Sequence, residues 1–258
     1  LRQAGDTVLA RLPEMMTVEG QDCAALVEQL RQELRQQLGA AETRRGETVA
    51  YYTAWVHQIK TPIAAMRLTL QGEDTPAARR LTAELGRIEQ YVDMVLTYLR
   101  LESGSDYVIG TCSVDEVVRA AVRRFAGEFI DRRIRLDYEP VQWETVTDSK
   151  WLTFVVEQLL SNALKYTGQE GVIRIYRQGD DLCIADTGMG IAPEDLPRVF
   201  QMGYTGQNGR LDRRSSGIGL YLCRRICGNL RHGIRMESVP GKGTAVYLTL
   251  GRGDFLPE

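Results

Sequence analysis

At 258 residues, with 26% charged and 43% hydrophobic side chains, the chain is long enough to bury one or two real cores. A formal net charge of −2 leaves no basic footprint for nucleic acid, and five scattered cysteines fit a reducing compartment better than a disulfide framework. No apolar run reaches the roughly 18 residues that a membrane span needs, and no signal peptide is visible. The chain begins at Leu1 without a methionine, as expected of a fragment.

Leu1 to Gly20 reads as irregular. Cys23, Leu26, Val27, Leu30, Leu34 and Leu38 predict an amphipathic helix over Gln21 to Leu38. Gly39 to Thr48 reads as a polar, helix-compatible connector into a second helix. In that helix, Tyr51 to Leu70, the spacing puts Trp55, Ile59, Met66 and Leu70 on one buried stripe. His57 then faces the other way, sharing an exposed side with Lys60, Thr61 and Ala64. Pro62 withholds the amide hydrogen that the Gln58 carbonyl would accept, which loosens the turn carrying the histidine. An exposed neutral imidazole can accept a phosphoryl group, or be a plain solvated residue.

Gln71 to Asp74 breaks the helix, and Thr75-Pro76 restarts one with an N-cap and a proline at the first helical position. Leu81, Leu85, Ile88, Val92, Val95 and Leu99 alternate spacings of four and three, a heptad seam. Two helices with such narrow stripes cannot bury both alone. The simplest solution is a homodimer through residues 49–104 that closes a four-helix bundle. Ser103-Gly104-Ser105 marks a domain boundary.

Beyond it the period changes. Tyr107 to Cys112 reads as a strand, and Ser113-Val114-Asp115-Glu116 as a capping box opening a helix with Val117, Val118, Val122, Phe125 and Phe129 inside. Ile134 to Glu139 and Trp143 to Thr147 alternate like strands. Asp148 or Ser149 caps a helix from Lys150 to Tyr166. Gly179-Asp180 joins two strands in a hairpin, Gly171 to Gln178 and Asp181 to Asp186. A helix from Gly217, a strand at Ile234 to Ser238 and a last strand from Thr244 to Leu250 complete an α/β sandwich, one sheet covered by helices on one face. Cys223 and Cys227 read as small core residues.

The chemistry gathers here. Asn162 and Lys165 share a helix face, with Gln158 one turn earlier, a set that can hold Mg²⁺ and balance phosphate charge. Asp186 ends a strand before Thr187-Gly188-Met189-Gly190, where a carboxylate can accept from an exocyclic amine and glycines admit a ligand to the backbone. Its single Asp-Thr-Gly also resembles an aspartic protease, a reading against which the helical first half argues. Gly217-Ile218-Gly219 opens a helix and offers free N–H groups to phosphate. Phe200 to Ser216 is polar, glycine-rich and long enough to be a lid.

Together these pieces resemble a bacterial sensor histidine kinase from about Val49 to Leu250. His57-Gln58-Ile59-Lys60-Thr61-Pro62 resembles the H box, and Glu157 to Tyr166 the N box. Asp186 to Gly190 and Gly217 to Gly219 resemble two glycine boxes, with Phe200 as the F box and Gly241 to Thr244 as the last element. The resemblance implies an all-α dimerisation hairpin followed by an ATP-binding α/β sandwich of the histidine kinase, gyrase and Hsp90 type. It divides the chain into 1–48, a linker after an upstream membrane segment; 49–104, for dimerisation and phosphotransfer; and 105–258, for ATP binding.

It also implies roles. His57 would accept phosphate through Nε2, and Thr61 would position water for dephosphorylation of the partner. Asn162 would ligate Mg²⁺, Lys165 and Tyr166 would meet the ATP phosphates and ribose, and Asp186 and Thr244 would hold the adenine. Gly188, Gly190, Gly217 and Gly219 would shape the lid hinges. Two positions depart from the family pattern. Gln58 stands where an acidic residue usually follows the histidine. Gln158 stands where asparagine usually precedes Asn162 by one turn, with Glu157 beside it. The partners implied are a second copy and a response regulator, with no nucleic acid. The H box and Phe200 to Arg210 further resemble kinases that work with peptide-antibiotic transporters, which places this part in the cytoplasm and the full-length protein at the bacterial membrane. Two alternatives keep the fold: a regulatory dimer that binds nucleotide without transfer, supported by Gln58 and Gln158, and an ATPase that releases inorganic phosphate.

Overall fold

The computed structural model describes residues 18–73, 75–103, 107–206 and 216–251. Most of the expected irregular start, the boundary at Gly104-Ser105 and residues 207–215 of the expected lid lie outside them. The chain divides into two compact units, residues 1–55 and 56–258. No helix among the described residues is long and apolar enough to cross a membrane.

The first helix, α1, runs over Val18–Gln71. The expected connector is part of it. Ala40, Ala41 and Glu42 favour helix, and Gly39 and Gly46 cost about 1 kcal/mol each relative to alanine, too little to break a helix that has no proline there. In the first unit Leu26, Leu30, Leu34 and Leu38 are exposed.

In the second unit the end of α1 packs against α2, Pro76–Ser103. The Thr75 hydroxyl caps α2 by accepting from the Ala78 amide at 3.1 Å. Here the expected buried stripe is corrected. Val56 and Ile63 are buried and Ile59 is half-buried, whereas Trp55 and Met66 are exposed. At 100° per residue the buried face lies roughly 60° further round the helix than the sequence pattern puts it. The reason is the neighbour: Val56 packs with Val92 and Leu96 of α2, and slim β-branched side chains admit that helix. Lys60–Asp93 at 2.7 Å and Arg67–Glu89 at 2.9 Å bridge the pair. His57 stays exposed.

Only half of the α2 seam is covered. Leu85, Val92 and Leu99 are buried, while Leu81, Ile88 and Val95, also seven apart, are exposed. A second apolar stripe, Met94, Tyr98 and Leu101, packs into the main core of this unit.

That core belongs to the expected α/β sandwich. A two-stranded sheet pairs β1, Gly110–Ser113, with β3, Glu144–Thr147. The main sheet has the order β2-β4-β5-β7-β6, from β2, Arg135–Tyr138; β4, Val172–Gln178; β5, Asp181–Asp186; β6, Gly233–Val239; and β7, Gly243–Thr249. Only β2 and β4 pair in parallel; the other neighbours are antiparallel. Ile173, Ile175, Leu182, Ile184, Val246 and Leu248 cluster with the apolar sides of α3, Val114–Arg124; α5, Ser149–Tyr166; and α6, Gly219–Asn229. Of the expected capping box the structure shows the N-cap bond, Ser113 Oγ accepting from the Glu116 amide at 3.3 Å. Phe129 belongs to a separate short helix, α4, Ala126–Asp131, because α3 closes at Phe125. The expected first strand starts at Gly110 instead of Tyr107, whose hydroxyl accepts from Asn229 Nδ2 at 2.7 Å. Cys223 and Cys227 are buried.

Candidate nucleotide-binding cleft

The site is built on α5. Asp148 caps it: Oδ1 accepts from the Trp151 amide at 3.1 Å, while Oδ2 accepts from the Val108 amide at 2.7 Å. Trp151, Val155, Val156, Leu159, Leu160, Ala163 and Leu164 bury the rest of the helix. What remains for one side is Gln158, Ser161, Asn162, Lys165 and Tyr166, which the 3.6-residue period stacks along a cleft.

Across the cleft stand the end of β5 and the start of β7. Asp186 Oδ1 accepts from the Gly188 amide at 2.8 Å and the Thr244 amide at 3.3 Å. Burial pushes the Asp186 carboxyl above its ordinary value, and these two amides oppose the shift. Gly188 is required here: a Cβ at that position would lie 2.5 Å from the Tyr166 carbonyl oxygen. Ser238 ties the corner together. Its hydroxyl lies 2.9 Å from both the Gly243 carbonyl and Thr244 Oγ1, and it accepts from the Ile191 amide at 2.8 Å.

Of the residues singled out from sequence, the cleft brings together Gln158, Asn162, Lys165, Tyr166, Asp186, Gly190, Gly217, Gly219 and Thr244. Gly188 stands behind Asp186. Glu157 turns away to an ion pair with Arg124, in a neighbouring cavity that Lys60, Asp93 and Lys150 also line. Burial raises the Glu157 carboxyl, against the pull of Arg124. His57, Gln58 and Thr61 line neither cavity. They are exposed on α1, with the Thr61 hydroxyl donating to the His57 carbonyl at 3.2 Å.

Several wall residues escaped the sequence reading. Gln90 and Met94 of α2 line the cleft; Gln90 Nε2 donates to Ser161 Oγ at 3.4 Å, and Ser216 Oγ approaches the Met94 sulfur at 3.7 Å. The available signal was the second apolar stripe of α2, which starts at Met94, off the heptad seam. Asp195 and Tyr204 also line the wall.

Gln158 fits closely. A Cβ on Gly219 would lie 2.5 Å from the Gln158 amide nitrogen, so the longer side chain is pressed against the start of α6. Gln158 and Asn162 thus present two amides, one turn apart, to the same space. Among the described residues no group of three His, Cys, Asp or Glu could form a protein-only metal cage. Amide ligands without such a cage suit Mg²⁺ shared with nucleotide phosphates.

Residues 147–253 match the family described as histidine kinase-, DNA gyrase B- and HSP90-like ATPase. The chain is 32% identical over 234 residues to the sensor histidine kinase YxdK of Bacillus subtilis, covering 87% of this chain and 72% of that protein. It is 31% identical to the sensor protein BceS of the same organism, over 88% of this chain and 68% of BceS. With the sensor histidine kinase GraS of Staphylococcus haemolyticus it shares 36% identity, over 79% of this chain and 61% of GraS. Among solved structures, full-length ShkA in complex with AMPPNP superposes with a TM-score of 0.55 at 19% identity, covering 76% of this chain and 44% of ShkA. The Acinetobacter baumannii histidine kinase AdeS gives 0.51 at 19% identity, over 76% of this chain and 98% of AdeS. At that identity the likeness establishes the fold.

Proposed function

The chain belongs to the sensor histidine kinases, ATP-dependent enzymes of two-component signalling, and on that premise we propose which of its residues do the work. ATP occupies the cleft. The Asp186 carboxylate accepts from the adenine amine, Thr244 adds a hydrogen bond on that side, and Lys165 and Tyr166 meet the phosphates and ribose. Asn162 and Gln158 hold Mg²⁺ by their amide oxygens; Glu157, paired with Arg124, is the weaker candidate. When bound, the ion offsets the negative charge of the phosphates.

The acceptor is Nε2 of neutral His57, which takes the γ-phosphoryl group and later yields it to an aspartate of a response regulator. Gln58 accepts from the ring, and Thr61 places water for hydrolysis of the regulator's aspartyl phosphate, which releases inorganic phosphate. His57 is absent from the cleft wall, so transfer requires either movement of the ATP-binding part or the cleft of a second copy. Catalysis then rests on positioning and charge neutralisation. We extend the proposal to a homodimer through 49–104 and to a longer, membrane-anchored protein serving a peptide-antibiotic transporter; this chain spans 61% to 72% of the three relatives named above.

The observation that carries this reading is the convergence of α5, β5, β7 and the start of α6 on one cleft holding an amide pair, a lysine and the half-buried Asp186 carboxylate. Incubation with γ-labelled ATP and Mg²⁺ tests it. Protein-bound label lost in acid and kept in base is phosphohistidine, and His57→Gln should abolish it while leaving ATP binding intact. Label on the His57→Gln chain sinks the assignment. Released phosphate without protein label favours the ATPase, and nucleotide binding without either favours the regulatory dimer.

A further inference from the structure

We infer that Asp195 and Tyr204 are a positioning pair that fixes one wall of the cleft, the segment from Val199 to Gly206, and so sets how long nucleotide is held. The inference rests on the nucleotide reading of that cleft.

Asp195 is charged yet only 7% exposed, and it lines a cleft proposed for a polyanion. A carboxylate in such a place is costly both by desolvation and by repulsion of phosphate, unless its charge is held by hydrogen bonds. The structure supplies one: the Tyr204 hydroxyl donates to Asp195 Oδ1 at 2.5 Å. The other oxygen faces Gly206, where an added Cβ would sit 3.0 Å from Oδ2, so the chain runs directly against the carboxylate. On its far side the Tyr204 ring lies 4.2 Å from the Arg198 guanidinium, whose Nε donates to Gln201 Oε1 at 3.3 Å.

The backbone explains why such a pair is needed. From Asp195 to Tyr204 the chain forms a short 3₁₀ turn, Leu196–Arg198, and then successive turns, with amides of Arg198, Gln201 and Tyr204 each bonded three residues back. No ladder joins this segment to the sheet. The Gly203 amide donates to the Gly217 carbonyl at 3.0 Å, tying it to the start of the last helix. The side-chain bond from Tyr204 to Asp195 ties it back to its own origin. With both ends held, Tyr204, Thr205 and Gly206 stay on the wall. Asp195 therefore acts through Tyr204, as a positioning residue.

The test uses the full chain, a fluorescent ATP analogue with Mg²⁺, and a chase with unlabelled ATP. Tyr204→Phe removes one hydroxyl and should raise the dissociation rate about ten-fold, the scale of one hydrogen bond to a charged group. KM for ATP in autophosphorylation should rise correspondingly, with a smaller change in kcat. Asp195→Asn keeps an acceptor and should fall between wild type and Asp195→Ala. In the Tyr204→Phe/Asp195→Ala double variant the rate should be no faster than in the faster single variant, because both remove the same bond. If wild type binds and Tyr204→Phe releases at the wild-type rate, whatever its melting temperature, the pair is overturned and the cleft reading stands. If wild type binds no nucleotide, both fall. Should Asp195→Ala fail to fold, Tyr204→Phe and Asp195→Asn still decide.

Discussion

His232 shows how a single buried ring joins distant parts of the fold. It is one of the few polar residues of the interior, and both of its nitrogens are used. The Gly251 amide donates to Nδ1 at 3.2 Å, which leaves the proton on Nε2 to donate to Thr147 Oγ1 at 2.8 Å. Burial holds this imidazole below its ordinary value of 6.5. The unfolded chain therefore takes up its proton first as pH falls. The stability that the neutral ring contributes is complete above pH 6.5 and is lost as pH drops through that value toward the lower folded one. Thermal unfolding between pH 7.5 and 5.5 checks this: His232→Gln, which can still donate and accept, should lose less melting temperature over that interval than wild type. An equal loss in both counts against the role. The residue type alone could not reveal it, since a lone histidine before a strand looks the same whether solvated or locked.

At the scale of elements, α5 is where the sequence was most legible. Its face of Gln158, Asn162 and Lys165 follows from helical geometry, and residue type narrowed its cap to Asp148 or Ser149, of which the structure uses Asp148. The second duty of Asp148 was not legible, because the Val108 amide comes from the entry of the domain, 40 residues earlier. The Asp148 side chain is buried, so Asp148→Ala should cost about 2 kcal/mol, a cap near 1 kcal/mol and a second hydrogen bond of similar size. Asp148→Asn, which still accepts, should cost less. Urea unfolding monitored by tryptophan fluorescence measures both, and equal losses would mean that the acceptor does not matter. For α2 the heptad seam was legible, but the stripe of Met94, Tyr98 and Leu101 was not recognised beside it. On α1 the buried face lay on Val56 and Ile63 because the partner helix, not the pattern of bulky residues, selects the face.

For the whole molecule, the uncovered half of the α2 seam poses a definite question. Leu81, Ile88 and Val95 repeat every seven residues and stay exposed. A second copy covering them is the proposed dimer. Ile88→Glu puts a charge into that seam and should convert a dimer into a monomer in sedimentation equilibrium, with nucleotide binding retained. A variant that sediments like wild type would remove Ile88 from the interface.

The sequence by itself determined the family resemblance and the candidate residues. The order and spacing of His57, Asn162, Asp186, Gly217 and Thr244 were enough to show the resemblance to the histidine kinases, and helical and strand periodicity placed those side chains on local elements. Only the tertiary structure decided which of them meet. It placed Asn162, Asp186, Gly217 and Thr244 on one cleft, kept His57 off its wall and sent Glu157 to Arg124. It also brought Gln90, Met94, Asp195 and Tyr204 onto the wall. Such meetings depend on how helices and strands pack across long stretches of chain, which no local periodicity encodes.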